Sequence, residues 1–131
     1  MKKFLFLAVV LFIAYAAYTK HREHERAKLV GAWAMEKTER GASFRQILNL
    51  KPDGVATVEI DAQVQGRYAS KEAVGDWKYV RSHLVVVFRK SELAPFVVTN
   101  KEYGGRILTA DDKTLSYQDD QNKVDSWTRI R

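Results

Sequence analysis

Two runs of alternating character, SFRQILNLK (43–51) and VATVEIDA (55–62), meet at KPDG, Lys51 to Gly54. Successive side chains of a strand point to opposite sides, so Phe44, Leu48 and Leu50 share one face of the first run. Val58 and Ile60 share the corresponding face of the second. Pro52 and Gly54 stand where a tight turn needs them. The pair is a β-hairpin with one apolar face, and such a hairpin is stable only when further strands or a helix cover that face. The rest of the chain offers strands. LVVVFRK follows AVGDWKYV across a short RSH turn, and RILTA, TLSYQ and KVDSWTRIR are separated by ADDK and DDQN. The expected fold is all-β, an antiparallel up-and-down meander of about eight short strands. Closing the meander into a small barrel removes its open edges.

VGAW, Val30 to Trp33, returns as VGDW, Val74 to Trp77. Gly31 and Gly75 are placed near the starts of strands, where a missing side chain permits a bulge or the close approach of another backbone. Trp33 and Trp77 follow two residues later on the same face. The repeat is read as one packing device used twice, in which Gly lets the strand bend and Trp fills the space beneath. The flanking sequences do not match, so the repeat says little for duplication.

Residues 1–19 are a different kind of chain. Two lysines precede the run Phe4 to Tyr18, fifteen apolar or aromatic residues, and residues 20–28 are almost wholly charged. Fifteen helical residues reach about 22 Å against a hydrocarbon core of about 30 Å, the proportions of a signal peptide. Ala14-Tyr15-Ala16 places small residues at a cleavage site. The apolar run nevertheless continues to Tyr18, and Tyr15, Tyr18, Lys2 and Lys3 suit a membrane interface. Residues 1–19 are therefore expected to be a signal peptide or a single-pass membrane anchor, an N-terminal hydrophobic helix in either case. The domain is expected in the cell envelope, held at the inner membrane on the periplasmic side or exported to the periplasm after cleavage. One count runs the other way: Lys20, Arg22, Arg26 and Lys28 outnumber Lys2 and Lys3 and favour a cytoplasmic domain if the segment stays in the bilayer.

Residues 20–28 contain His21 and His24 beside Glu23 and Glu25. The helical zinc-protease pattern needs histidines four apart with Glu directly after the first, and here they are three apart with Arg22 in that place. The segment is read as a solvated helical tether with Glu23–Arg26 and Glu25–Lys28 pairs. Residues 29–131 form the folded domain, about 100 residues and large enough for a modest core.

Within residues 29–131, 16 Lys and Arg stand against 14 Asp and Glu, so the domain carries only +2 of the chain's +6. A clustered basic footprint is missing, which argues against nucleic acid. The chain has no cysteine, which excludes disulfides, thiolate metal sites and a catalytic thiol. His83 lies in the RSH turn with no nucleophile motif beside it. Asp111-Asp112 and Asp119-Asp120 fall in turns, where their side chains hydrogen-bond the backbone. No acid–base pair stands out. The domain is expected to have no catalytic residues, no metal and no cofactor, and not to be an enzyme.

LVGAW opening the first strand, the KPDG hairpin, a second GxW in mid-domain, alternating Leu, Val and aromatic strands, and the final SWTRIR resemble the small bacterial lipocalin-like domains of the calycin superfamily. The resemblance spans nearly all of residues 29–131. It implies an up-and-down barrel whose first-strand tryptophan, Trp33, closes one end against an arginine of the last strand, with Arg129 the best match and Arg131 the second. Gly31, Trp33, Gly75, Trp77 and Arg129 are then the barrel-closing set. The chain departs from the larger transport lipocalins in its short strands, its lack of cysteine and the lack of an obvious helix after the barrel.

An eight-stranded barrel is just wide enough to be filled by side chains or to hold one small ligand. Trp33, Phe44, Trp77, Tyr79, Phe88, Tyr117 and Trp127 are the candidates to fill it. The leading expectation is a packed interior and a non-catalytic envelope domain that binds a protein partner, of inhibitor, immunity or assembly-accessory type, through loops and exposed strand faces. Leu93, Pro95 and Phe96 are its candidate contacts, since Pro95 interrupts a strand and the Phe-Val-Val after it is left partly exposed. The alternative is a carrier or sensor of a small apolar or amphipathic ligand held by Tyr79, Phe88, Tyr117 and Arg129. The membrane is expected as a further partner through the N-terminal segment.

Overall fold

The structure is a computed structural model describing residues 2–39, 42–64, 66–93 and 97–131. A 26-residue helix, α1 (Lys2–Ala27), leads into eight strands. These are β1 (Gly31–Glu39), β2 (Ala42–Leu50), β3 (Val55–Val64), β4 (Arg67–Val80), β5 (His83–Ser91), β6 (Glu102–Ala110), β7 (Thr114–Gln118) and β8 (Val124–Arg129). Each strand pairs antiparallel with the next and β8 returns to β1, which closes an up-and-down barrel.

Register puts the expected apolar positions inside. Trp33 lies opposite Leu48, Leu48 opposite Val58 and Val58 opposite Ala73, and all four are buried. Small Ala73 shares a layer with Trp33, so the barrel interdigitates large and small side chains. Trp77, Leu84, Val86, Phe88, Leu115, Tyr117 and Trp127 join the same core, with Tyr79 and Ile60 packed at its margin. Phe44 is half-buried at the far end of β2.

The β2–β3 hairpin forms as its sequence demands. Gly54 takes a positive φ of 91°, its N–H donates to the Lys51 carbonyl at 3.1 Å, and the Asp53 carboxylate accepts the Val55 N–H at 3.0 Å. The β4–β5 turn is tighter, with Arg81 and Ser82 both at positive φ, 51° and 65°. That is the twist a two-residue hairpin loop requires.

Two expectations about strand limits need correction. β4 begins at Arg67, well before the AVGDWKYV stretch, because it continues the long hairpin with β3. Gly75 consequently lies in the middle of a strand, not near its start, at a register shift between Val74 and Gly75 against β5. A Cβ there would overlap the Val87 carbonyl and the Phe88 backbone, so the bulge exists only with glycine. Gly31, by contrast, is the first residue of β1.

The seam that closes the barrel is short. β1 and β8 pair only at Trp33 with Arg129 and Ala34 with Thr128, extended by Ala32 N–H to the Arg131 carbonyl at 3.2 Å and Ile130 N–H to the Ala32 carbonyl at 2.9 Å. The start of β1, the end of β8 and the turns after β2, β4 and β6 gather at one end of the barrel, here the closed end. The opposite end carries the long β5–β6 connection.

Helix α1 stands outside this core. Its described apolar residues, from Leu7 to Tyr18, are exposed, Phe12 at 71% and Leu11 at 61%, and none of them enters the core cluster. Among the described residues no helix is long and apolar enough to cross a membrane. The tether is more than a solvated stalk. Glu25 and Lys28 pair at 3.1 Å as expected, whereas Arg26 turns from Glu23 to the barrel.

Candidate functional site

The closed end is built from two tryptophan–arginine stacks, one for each VGxW. In the first, Trp33 is fully buried and its indole N–H donates to the Leu29 carbonyl at 2.9 Å. The Arg129 guanidinium carbon lies 4.2 Å from the ring centroid. Nη1 of Arg129 donates to the Val30 carbonyl at 2.8 Å and Nη2 to the Lys28 carbonyl at 2.7 Å. The planar fork thus ties β8 to the segment entering β1 while its face covers an indole. Nε of Arg129 is buried without a partner among the described residues.

Gly31 is explained by this stack. Its φ is +145°, and a Cβ would come within 2.5 Å of Arg129 Nη1 and 2.7 Å of the Arg131 carbonyl. Arg129 occupies the volume a side chain at position 31 would need. The pairing of Trp33 with Arg129, expected from the resemblance, is present, and the guanidinium of Arg131 is not the one on the ring.

In the second stack Trp77 is buried and its N–H donates to the Lys51 carbonyl at 2.8 Å. The cation over its ring comes from outside the barrel. Arg26 of α1 stands 4.4 Å from the centroid, with Nη2 donating to the Pro52 carbonyl at 3.2 Å. One turn earlier, Arg22 donates to the Tyr79 carbonyl at 3.3 Å. Sequence reasoning missed Arg26 because it assigned that residue to Glu23. The available signal was a cation in the last helical turn before a strand rich in aromatics.

The other candidate residues do not converge on Arg129. Phe88 packs against Tyr103, with ring centroids 5.8 Å apart at 57°. Tyr117 is buried, and its hydroxyl accepts the Trp127 N–H at 3.1 Å. Burial above all holds the Tyr117 hydroxyl in its neutral form, well above the ordinary tyrosine range. Tyr79 is half-buried near the closed end. These side chains fill the barrel.

Two shallow depressions lie on the outside of the closed end. One of ≈ 430 Å³ is bordered by Lys28, Ala110, Asp111, Asp112 and Arg129, and one of ≈ 230 Å³ by Gly31, Leu50, Pro52 and Arg131 among others.

At the opposite end the β5–β6 connection folds back on the barrel. Leu93 is 6% exposed and belongs to the core, so it offers no surface to a partner, contrary to expectation. Its N–H donates to Ser91 Oγ at 3.0 Å, Ser91 Oγ donates to the Val97 carbonyl at 2.8 Å, and the Tyr103 hydroxyl accepts the Val98 N–H at 2.8 Å. Pro95 and Phe96 lie outside the described residues. Val98 in the β5–β6 connection and Val124 at the start of β8 are exposed at this end.

The polar candidates set aside in the sequence have local roles. Asp111 Oδ1 accepts the N–H groups of Lys113 and Thr114 at 2.8 and 2.7 Å, which holds its carboxyl below the usual range. Asp119 Oδ1 accepts those of Gln121 and Lys123 at 3.0 and 2.9 Å. His83 is exposed, with Nδ1 2.8 Å from the Arg81 carbonyl. No protein-family model matches the chain, and no curated protein matches it.

Proposed function

We propose that residues 29–131 are a lipocalin-like, non-catalytic binding domain of the cell envelope that engages a protein partner. The observation that carries this reading is the filled interior: Trp33, Trp77, Phe88, Tyr117 and Trp127 occupy the lumen an eight-stranded barrel has to offer. Binding then falls to the outside. The end bearing the β5–β6 connection supports it best, because Val98, whose N–H is held by the Tyr103 hydroxyl, and Val124, at the start of β8, are exposed there. Residues 1–19 act in this reading as a membrane anchor or as an export segment removed after Ala16, and either leaves Arg22 and Arg26 with the domain.

A second reading, a small apolar or amphipathic ligand, is favoured by Met35 and Ile60. Both follow inward-facing Trp33 and Val58 by two residues and remain half-exposed. Photocrosslinkers at Val98 and Val124, with one at Arg89 as control, separate the two in the native host. A protein adduct at the first two positions and none at Arg89 is expected. A stoichiometric metabolite released on denaturation, with no protein adduct, overturns the leading reading.

A further inference from the structure

The two stacks differ in where their arginine comes from, and only one arginine can leave without opening the barrel. Arg129 belongs to β8 and bonds the chain on both sides of Leu29. Arg26 belongs to a helix that places none of its described side chains in the core and meets the barrel through Arg22 and Arg26 on its surface. Beneath Arg26 the receptor side is fully built from the barrel. The Trp77 ring is fixed by its bond to Lys51, and the Pro52 carbonyl, from the β2–β3 turn, points at the cation as an acceptor. The Tyr79 carbonyl, from the end of β4, receives the second guanidinium.

We propose that the Trp77 face with the Pro52 and Tyr79 carbonyls is a binding site for an arginine side chain of another protein, filled in cis by this chain's own Arg26. An aromatic face selects a weakly hydrated planar cation, and carbonyls beside it select one with N–H donors directed outward, which together describe guanidinium better than ammonium. A covalently attached occupant competes at high effective concentration, so an incoming arginine binds in proportion to the fraction of time Arg26 is released. The site is independent of the protein-binding reading given above, because a free arginine derivative is enough to occupy it.

The test uses the full chain and its Arg22→Ala/Arg26→Ala variant, titrated with N-acetyl-arginine methylamide and, in parallel, its neutral isostere N-acetyl-citrulline methylamide. The readout is the indole N–H resonance of Trp77. In the variant the arginine derivative is expected to shift that resonance saturably, with half-saturation at least about ten-fold below that of the native chain, and the citrulline derivative to leave it in place. Equal responses to the two derivatives overturn the proposal, as does equal half-saturation in native chain and variant, or no response in the variant. Should the double variant lose the dispersed signal of buried Trp33 and so prove unfolded, Arg26→Gln, which keeps the stem and drops the charge, decides by the same criteria.

Discussion

VGAW and VGDW place a tryptophan in the same end of one barrel by different means. At the first, glycine opens a strand, and the missing Cβ makes room for an arginine side chain and a carbonyl. At the second, glycine sits in mid-strand, and the missing Cβ lets two backbones approach at a bulge. Both indoles give their N–H to a main-chain carbonyl and both take a guanidinium on one face. One guanidinium is part of the barrel and the other is lent by the helix. The shared four letters therefore describe a result, a capped indole, and leave open which backbone problem the glycine solves and which element supplies the cap.

The comparison can be broken most forcefully at the indoles. Trp33→Ala removes a fully buried ring from the layer it shares with Leu48, Val58 and Ala73, and denaturant unfolding should show a loss of about 3 to 5 kcal/mol. A loss below about 1 kcal/mol would sink the view of Trp33 as the plug of the closed end.

The glycines come next. Gly75→Ala drives a methyl into the backbone of β5, which cannot move without breaking the bulge, and should cost about 3 kcal/mol. Gly31→Ala meets a side-chain nitrogen and a carbonyl beyond the last strand, at a φ alanine dislikes, and should cost about 1 to 2 kcal/mol. Reversed order in thermal or denaturant unfolding means the two glycines do the same job after all.

The arginines sharpen the contrast further. Arg129→Lys loses the plane over Trp33 and leaves one of the Val30 and Lys28 carbonyls without its donor, for about 1.5 kcal/mol. Arg26→Lys, at an exposed junction, should stay below about 1 kcal/mol and leave barrel unfolding cooperative. Equal losses would make the helix an integral part of the barrel.

Trp127, the tryptophan outside the repeat, gives the smallest effect. Its N–H bonds a side chain, so Tyr117→Phe should cost about 1 kcal/mol at neutral pH. The folded state keeps Tyr117 protonated where the unfolded chain ionises it. The native protein should therefore lose stability as pH rises above the ordinary tyrosine pKa of about 10, a loss the Phe variant should lack in that range.

The β2–β3 hairpin was fully legible, since its alternation and its turn residues agreed with a strand that is half wet and half dry. The inward aromatics were legible for the same reason. Arg67–Glu72 was not, because every one of its described side chains is exposed, and alternation carries information only where one face is dry. Leu93 read as part of an exposed loop, but a single apolar side chain can be inserted into a core by hydrogen bonds through Ser91 that no spacing reveals. The Trp33–Arg129 stack came from resemblance. The Trp77–Arg26 stack joins residues far apart in sequence, so neither propensity nor periodicity reports it.

The seam between β1 and β8 also sets a schedule. Arg129 Nη1 reaches a carbonyl 99 positions away, and the strands it joins are the first and last of the barrel. During synthesis β1 to β7 can pair only as an open, curling sheet, with Trp33 waiting uncapped until the final strand has left the ribosome. Contacts this remote make closure slow. A chain that must stay unlocked while it is being made remains threadable through a narrow passage during that interval, and its last strand acts as the latch that ends it.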